Sequence, residues 1–244
     1  MTGTAPRHAM VLAAGLGLRM RPITETRPKP LVTVAGRTLL DRALDALADA
    51  GVTDATVNVH YLPQMIEDHL ASRTVPRIAI SDERETLLET GGGVARALPL
   101  LGPDAFFVVN ADIAWRDGGT PALNRLFEAW DDTAMDALLL LHPVADATGY
   151  DGAGDFFVDA GGRLTRRREA PEAPLVFTGV QLLHPRLFAC TPDGPFPLTR
   201  LYDRAETERR LFGLVHDGDW HHIGTPEGLA EAEARLESTR GLPG

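Results

Sequence analysis

The sequence predicts an α/β protein in which a mixed, mostly parallel sheet is covered by helices on both faces. Short apolar segments alternate with segments of helical periodicity over most of the 244 residues. Strands that alternate with helices in this way form parallel sheets, because each crossover helix packs on a face of the sheet. After about residue 145 strands predominate, which adds antiparallel pairs to the prediction.

The first half of the chain contains five predicted strands and four predicted helices. The strands are the apolar runs at 8–14, 56–60, 77–81, 105–112 and 136–143. The helices are predicted at 38–51 and near 63–72, 92–101 and 120–131. The first helix has the clearest signal, because Leu40, Ala43, Leu44 and Leu47 form one apolar stripe and Gly51 follows as a stop.

The second half is richer in predicted β-structure. The segment "GDFFVDAGGRLTRR" predicts a hairpin that turns at Gly161-Gly162, and another strand is predicted at 175–185. A helix near 198–210 follows, and a last helix begins after Thr225, whose side chain is a suitable N-cap before proline. No linker, repeat or low-complexity segment divides the chain, so we expect a single domain over residues 1–244.

Composition limits the class of partner and the compartment. A net charge of −10 and a pI near 5.2 argue against a nucleic-acid or membrane partner, which would favour a basic surface. No apolar run is long enough to span a bilayer, and the N-terminus lacks a signal-peptide pattern. Cys190 is the single cysteine, which excludes an intrachain disulfide and a cysteine-based zinc cluster. We therefore expect a cytoplasmic protein.

A glycine-containing loop follows the first predicted strand in "VLAAGLGLRMRP" (11–22). Backbone amides in such a loop approach phosphate oxygens closely, because glycine has no Cβ. The spacing matches neither G-x-G-x-x-G nor G-x-x-x-x-G-K-[ST], so the loop is neither a dinucleotide fingerprint nor a P-loop. A simple turn is the alternative interpretation.

Lys29 is the only lysine of the chain and lies between two prolines in "TRPKPL". The prolines favour an extended presentation of the lysine. An ammonium is a compact charge that suits a phosphoryl oxygen whose position shifts during a reaction, whereas a guanidinium is a rigid planar fork. These features favour a phosphate-binding lysine over a position occupied by chance.

The segment "LAAGLGLRMRPITETRPKPLVTVAG" (12–36) resembles the signature of sugar-1-phosphate nucleotidyltransferases, L-A-A-G-x-G-x-R-[ML]-x-P-x-T followed by P-K-P-[LM]. Three later segments also resemble this family: "VNADI" (109–113), "FTGVQLLHP" (177–185) and "WHHIGTPEGLAEAEARL" (220–236). Two further segments, "LLETGGG" (87–93) and "GDF" (154–156), resemble the branch that uridylylates N-acetylmuramate α-1-phosphate.

The resemblance extends from about residue 8 to 236 and implies the family's Rossmann-like, GT-A-like fold. It implies a nucleotide-binding part at about 8–145 and a sugar-binding part at about 146–236. We do not expect the C-terminal β-helix of longer relatives. We expect a monomer or a small homo-oligomer.

The activity implied is transfer of a nucleoside monophosphate from an NTP to a sugar 1-phosphate, with release of pyrophosphate. The branch implies UTP and N-acetylmuramate α-1-phosphate, and a place in cell-wall sugar recycling. Because the attacking phosphate is already anionic, catalysis requires positioning and charge neutralisation rather than a general base. The alternatives are a guanylyl- or thymidylyltransferase acting on another hexose 1-phosphate, such as mannose 1-phosphate, or a nucleotide-sugar-binding protein with an impaired catalytic site.

The resemblance also implies roles for individual residues. The implied catalytic residues are Arg19, Lys29 and Asp112. The implied nucleotide contacts are Leu12, Ala13, Ala14, Gly15, Gly17, Glu83, Thr90, Gly91 and Asn110, with backbone amides of the "LETGGG" segment on the base. The implied sugar contacts are Gly154, Asp155, Glu169, Thr178 and Gly179.

Asp112 is the implied ligand of Mg²⁺, with Mn²⁺ as an alternative. His222 stands where the family's closing motif has a second carboxylate, and imidazole suits Mn²⁺, Co²⁺ or Zn²⁺ better than Mg²⁺. Three arrangements remain open. In the first, Asp112 holds the metal with phosphates and water while His222 contacts phosphate or a bound water. In the second, a softer metal is preferred. In the third, Asp219 replaces the missing carboxylate.

One further departure concerns the sugar. The family's lysine in a later F-K-L segment is absent, because "FPL" (196–198) has Pro197 at that position. If that lysine binds the lactyl carboxylate of N-acetylmuramate, the substrate differs, or the arginines at 166–168 compensate. A solvated surface is the other interpretation of these three arginines.

Overall fold

The structure is a computed structural model that describes residues 5–238. The strands in chain order are β1 (His8–Leu12), β2 (Thr33–Val34), β3 (Arg37–Thr38), β4 (Asp54–Val59), β5 (Arg77–Asp82), β6 (Phe106–Asn110), β7 (Ile113–Arg116), β8 (Ala137–Pro143), β9 (Phe156–Val158), β10 (Leu164–Arg166), β11 (Leu175–Leu183), β12 (Leu211–Val215) and β13 (Asp219–His222). The α-helices are α1 (Leu39–Asp49), α2 (Pro63–Leu70), α3 (Glu89–Leu101), α4 (Ala122–Ala129), α5 (Thr199–Thr207) and α6 (Pro226–Ser238).

Nine of these strands form the central sheet of the described residues. β5, β4, β1 and β6 lie side by side and are all parallel. β11 pairs antiparallel with β6 and β8, and β12 pairs parallel with β8. The predicted hairpin is present as β9 and β10, and β9 pairs with the start of β11. The predicted mixed, mostly parallel sheet is therefore confirmed.

Both faces of the sheet are buried, because alternate residues along a strand face opposite sides. In β1, Val11 belongs to the apolar cluster that contains Leu44 of α1, whereas Met10 belongs to the cluster that contains Val94 of α3. Helices α1, α2 and α4 contribute to the first cluster, and α3 and α5 to the second. None of the helices in the described part of the chain is long and apolar enough to cross a membrane.

The N-cap predicted for the last helix is present, and the first helix has an N-cap that was not predicted. The stripe of α1 is buried, and the Thr38 hydroxyl caps this helix by accepting a hydrogen bond from the Asp41 amide at 3.0 Å. Thr225 caps α6 in the same way, accepting from the Gly228 amide at 3.2 Å. Helix α3 begins at Glu89, three residues before the predicted start.

Sequence analysis missed the antiparallel ribbon of β7 and β13, which pairs outside the central sheet. Each strand has only four residues, too few to display a clear alternation of apolar and polar side chains. In this ribbon His222 is the register partner of Ile113, which directly follows Asp112. The ribbon therefore brings the end of the chain to the end of β6, where the site lies.

Candidate functional site

The site lies at the carboxyl ends of β1 and β6, where α/β sheets present ligand-binding groups. A cavity of about 360 Å³ opens there. It is lined by Leu12, Ala13, Gly15, Gly17, Leu18, Arg19, Met20, Lys29, Pro30, Asp112 and Gly224. The structure thus places all three predicted catalytic residues around one cavity.

Lys29 and Asp112 form an ion pair inside this cavity. The Lys29 Nζ donates to Asp112 Oδ2 at 2.9 Å, and Lys29 is only 7% exposed. Lys29 is not in an extended segment as predicted, because it begins a short 3-10 helix, Lys29–Leu31, after an extended Pro28. Pro30 fits the start of this helix, where its missing amide hydrogen is not needed. The helix and the ion pair together fix the ammonium at the cavity wall.

The loop after β1 depends on two glycines for different reasons. Gly17 has a φ of +62°, and a Cβ there would lie 3.1 Å from Thr24 Cγ2 and 3.2 Å from Lys29 Cβ. The Thr24 hydroxyl also donates to the Gly17 carbonyl at 2.7 Å. A Cβ at Gly15 would meet no atom within 4 Å, so this exposed glycine leaves its backbone accessible from the cavity.

Arg19 also lines the cavity, from the short 3-10 helix Leu18–Met20. Its side chain is exposed and makes no ion pair with any carboxylate of residues 5–238. A Cβ at Gly224 would lie 3.4 Å from Arg19 Nη1 and 2.5 Å from His222 Nε2. Gly224 therefore leaves the space in which the guanidinium and the imidazole approach each other.

His222 is held between aromatic rings of neighbouring segments. Its ring lies edge-to-face with Tyr150 at 6.2 Å between centroids, and 5.9 Å from Trp220. Burial lowers the pKa of His222, and the positive charges of Lys29 and Arg19 lower it further against the opposing effect of Asp112. The imidazole is therefore neutral at neutral pH and adds no charge to the cavity.

The donor set fits a divalent cation shared with substrate phosphates. Within residues 5–238, no group of three or more His, Cys, Asp or Glu side chains is arranged to hold a metal. Asp112 Oδ2 accepts from Lys29, whereas Oδ1 makes no hydrogen bond to a described residue. Mg²⁺ is commonly bound by one or two carboxylates together with substrate phosphates and water, so one free carboxylate oxygen is a suitable protein ligand.

The structure does not bring Asp219 to this site, and the suggestion that it replaces the missing carboxylate is not supported. Asp219 lies at the opposite end of β13, where its carboxylate pairs with Arg116. Strands rise by about 3.4 Å per residue, so three residues separate Asp219 from His222 by roughly 10 Å. The ribbon geometry fixes this separation.

Glu83 is only 1% exposed and both of its carboxylate oxygens are engaged within the protein, so its predicted contact with the nucleotide stays a prediction. Oε1 accepts from Asn58 Nδ2 at 2.7 Å and Oε2 accepts from the Leu88 amide at 3.0 Å. Asn58 Oδ1 in turn accepts from the Ala13 amide at 2.7 Å, so that amide is not free for a phosphate. This buried chain of hydrogen bonds connects the loop after β1 to the start of α3.

Sequence reasoning missed Asn58, although a signal was present. It is a polar residue between two valines near the end of strand β4, and it is buried. A buried amide side chain requires partners, because an unpaired one is costly. Its partners lie 45 and 25 residues away, which the local sequence does not indicate.

The "LETGGG" segment packs against residues 194–198. The amides of Gly91 and Gly92 both donate to the Phe196 carbonyl, at 2.8 and 3.0 Å. A Cβ at Gly91 would clash with the Phe196 ring. The Thr90 hydroxyl accepts from the Leu198 amide at 2.9 Å. The Gly91 amide is therefore engaged within the protein, its predicted nucleotide contact stays a prediction, and the glycines permit close packing.

The sugar side is shaped by a bulge in β11 at Gly179, which has a φ of +88°. A Cβ at Gly179 would lie 2.9 Å from Asn110 Nδ2, so Asn110 at the end of β6 packs directly over this glycine. Gly179 and Asn110, both predicted ligand contacts, therefore pack against each other. Asn110 lies two positions before Asp112, on the side of the cavity that faces β11.

Thr178 was predicted to contact the sugar directly, but it is only 1% exposed. Its hydroxyl donates to the Leu140 carbonyl at 2.8 Å, and its carbonyl accepts from Trp220 Nε1 at 2.9 Å. Thr178 therefore fixes the bulge to β8 and to the ribbon, and its predicted sugar contact stays a prediction.

The remaining predicted sugar residues lie around the β9–β10 hairpin. Gly154 is buried with a φ of +77°, and a Cβ there would clash with the Ala173 carbonyl. Asp155 Oδ2 accepts from the Phe177 amide at 2.9 Å. Glu169 is exposed in the turn after β10 and makes no ion pair with a described residue. Gly154 and Asp155 therefore organise backbone here, while Glu169 is accessible to ligands.

Comparison with known proteins agrees with this arrangement. Residues 8–239 match the family model for nucleotidyl transferase. The N-acetylmuramate alpha-1-phosphate uridylyltransferase of Caulobacter vibrioides is 47% identical over 237 residues, covering 95% of this chain and 98% of that protein. The enzyme of the same name from Neisseria meningitidis serogroup B is 36% identical, covering 93% of this chain and 96% of that protein.

Two solved structures share the fold. UDP-glucose pyrophosphorylase complexed with UDP-glucose has a TM-score of 0.77 at 18% identity, covering 96% of this chain and 99% of that one. The inositol-1-phosphate CTP transferase from T. maritima also has a TM-score of 0.77 at 18% identity, covering 99% of each chain. The family predicted from the sequence is confirmed, and the chain is an enzyme of the nucleotidyl transferase family, whose members transfer a nucleotide to a sugar 1-phosphate.

Proposed function

We propose that this enzyme transfers UMP from UTP to N-acetylmuramate α-1-phosphate and releases pyrophosphate. The observation that carries the proposal is the cavity at the ends of β1 and β6, where Arg19, the Lys29–Asp112 pair and the glycine loop surround one space. The two similar uridylyltransferases support the choice of base and sugar. We place the reaction in cell-wall sugar recycling in the cytoplasm.

The reaction requires no proton transfer. An anionic oxygen of the sugar phosphate attacks the α-phosphorus of UTP, and the bond from that phosphorus to the pyrophosphate oxygen breaks. Negative charge moves onto pyrophosphate, so groups that neutralise this charge stabilise the transition state. Arg19 and Lys29 are the cations that face the cavity, and they supply this stabilisation.

Lys29 is suited to this role by its ion pair. Burial of an unpaired ammonium is costly, and Asp112 offsets that cost with a charge-assisted hydrogen bond at 2.9 Å. An ammonium has three donors, so two remain for phosphate oxygens. Arg19 has no carboxylate partner among the described residues, and its full charge is available to the leaving pyrophosphate.

Asp112 Oδ1 is the atom that would hold Mg²⁺ together with the phosphates. When bound, the cation supplies Lewis-acid stabilisation of phosphoryl charge. His222 forms the neighbouring wall as a neutral imidazole, and we propose that it contacts a phosphate or a bound water.

The direct test is pyrophosphate release from the purified protein with each of the four common NTPs and a panel of sugar 1-phosphates, in Mg²⁺ and in Mn²⁺. We expect turnover with UTP and N-acetylmuramate α-1-phosphate. Turnover confined to GTP with mannose 1-phosphate would assign a different substrate to the same mechanism. No turnover in protein that still binds nucleotide would favour a binding protein with an impaired site.

Substitution of His222 by aspartate tests the metal site separately. If the imidazole belongs to a working site, His222→Asp leaves the Mg²⁺-dependent rate unchanged or lowers it. A large gain in that rate would show instead that the natural site is impaired. Thermal melting of both proteins controls for a change in the ribbon that carries residue 222.

A further inference from the structure

We infer that Arg167 binds a carboxylate substituent of the sugar substrate, in a small cavity beside the transfer site. This inference rests on the proposed function, because it concerns the lactyl carboxylate that distinguishes N-acetylmuramate from N-acetylglucosamine. The cavity has a volume of about 210 Å³ and is lined by the arginines at 166–168, by Gly154, Asp155 and Thr199, and by the rings of Phe156, Phe177 and Tyr202.

The rings make the cavity wall rigid and apolar. Tyr202 is buried, donates to Gln181 Oε1 at 2.6 Å and lies edge-to-face with Phe177 and Phe156, at 6.1 and 6.5 Å between centroids. A charge beside such a wall is poorly screened, so an ion pair there is stronger than one on the open surface.

The three arginines differ in how their charges are balanced. Arg166 Nη1 pairs with Asp203 at 2.7 Å, and Arg168 Nη2 pairs with Glu206 at 2.9 Å, both carboxylates belonging to α5. Arg167 makes no ion pair with any carboxylate of residues 5–238. Of the three, only Arg167 therefore keeps an unbalanced positive charge.

Backbone carbonyls hold the Arg167 guanidinium in place. Nε donates to the Gly154 carbonyl at 2.8 Å and Nη1 donates to the Ala170 carbonyl at 2.9 Å, while Nη2 makes no hydrogen bond to a described residue. A guanidinium binds a carboxylate well when its plane is already fixed, because less side-chain entropy is lost. Asp155 also lines the cavity, where its Oδ2 accepts from the Phe177 amide.

Two chains of contacts connect this cavity to the region around Asp112. Phe177 precedes the Gly179 bulge by two residues, and Asn110 packs on that bulge near Asp112. A second connection runs through Tyr150, whose hydroxyl accepts from the Gly154 amide at 3.2 Å and whose ring contacts His222. A sugar whose phosphate lies at Asp112 therefore extends toward Arg167.

The test compares the binding of two products that differ only in the lactyl group. Isothermal titration calorimetry would give the Kd of UDP-N-acetylmuramate and of UDP-N-acetylglucosamine for the natural protein and for Arg167→Gln. We expect the natural protein to prefer the muramate, and Arg167→Gln to reduce that preference by about tenfold or more, the effect of losing one charge-assisted contact. Arg200→Gln, at an exposed arginine of α5 that does not line the cavity, is the matched control and should keep the preference.

Several results would overturn the inference. One is an unchanged preference in Arg167→Gln, and another is equal weakening of both ligands with an unchanged melting temperature. If Arg167→Gln does not fold, Arg167→Lys is measured instead. The lysine keeps the positive charge but lacks the planar guanidinium. Full retention of the preference for the muramate would contradict bidentate binding of the carboxylate.

The natural protein separates this inference from the proposed function. If it neither turns over N-acetylmuramate α-1-phosphate nor prefers the muramate product, the proposed substrate is wrong and the inference fails with it. If it does both while Arg167→Gln keeps the preference, the inference alone is wrong.

Discussion

Two regions of the molecule use their polar groups in opposite ways. One is the predicted phosphate-binding region around Arg19 and Lys29, called the phosphate side. The other is the predicted base-binding region around Glu83 and Gly91, called the base side. On the phosphate side, Arg19 has no carboxylate partner and Lys29 has two unused donors, within the described residues. On the base side, Asn58 and Glu83 are buried and bonded to each other and to backbone amides. Polar side chains with unused hydrogen-bonding capacity are those that meet a ligand, whereas fully hydrogen-bonded side chains shape the backbone around it.

The largest effect is expected on the phosphate side. Lys29→Arg should lower kcat by about 10²–10³-fold, the usual cost of losing one electrostatic contact to the transition state. The guanidinium has to fit a position that is 7% exposed and to replace the bond to Asp112.

Steady-state kinetics with UTP measures this effect. The control is Arg27→Ala, which changes an exposed residue two positions away. If the kcat of Lys29→Arg equalled that of the natural protein, the catalytic role of Lys29 would be contradicted. The contrast between the phosphate side and the base side would then be lost.

On the base side the main expected effect is on stability. Glu83→Gln replaces one of two acceptor oxygens with a donor, which would face Asn58 Nδ2 or the Leu88 amide. We expect the free energy of unfolding to fall by about 1–3 kcal/mol, the cost of a buried unpaired polar group. Urea denaturation of this variant and of the exposed control Glu85→Gln measures it. Equal stabilities would show that the buried chain of hydrogen bonds is dispensable.

A second base-side variant tests the packing of α3. In Gly91→Ala the new methyl group meets the Phe196 ring and carbonyl, so the 194–198 segment must move. Such overpacking costs about 1–3 kcal/mol. Gly119→Ala is the matched control, because a Cβ there meets no atom within 4 Å. If thermal melting shows the two variants to be alike, the close approach to Phe196 is not required.

The smallest effect is expected from a change of pH, which alters stability through His216 beside the β7–β13 ribbon. Burial lowers the pKa of His216, whose Nε2 lies 3.1 Å from the Arg116 carbonyl of β7. The folded state therefore binds the proton less well than the unfolded state, and stability falls as the pH drops below the unfolded pKa of about 6.5. Above that pH both states are neutral and His216 contributes no pH dependence.

The measurement is urea denaturation at pH 7.5 and pH 5.5. The natural protein should lose more stability between these values than His216→Gln, which has no imidazole at this position. His184, buried near Arg186, also has a lowered pKa and adds to the loss in both proteins. An equal loss in the two proteins would assign the acid sensitivity to other groups.

Local sequence patterns predicted the helices and most strands of the central sheet, and the resemblance to the family implied the charged residues of the phosphate side. The apolar stripe of α1 and the fixed spacing from Gly17 to Lys29 lie within short segments, so they can be recognised without knowing the fold. The roles of Glu83 and Gly91 could not be predicted in this way. Whether a motif residue contacts a ligand or holds the backbone depends on partners distant in the chain, such as Phe196.

Strand β11 has a mechanical consequence. It lies between β6 and β8, so residues from the second half of the chain are hydrogen-bonded into the sheet that carries the first half. A hinge needs a few unconstrained backbone positions between two rigid bodies, and this strand leaves none at the junction. Denaturation should therefore proceed as one cooperative transition rather than in two steps.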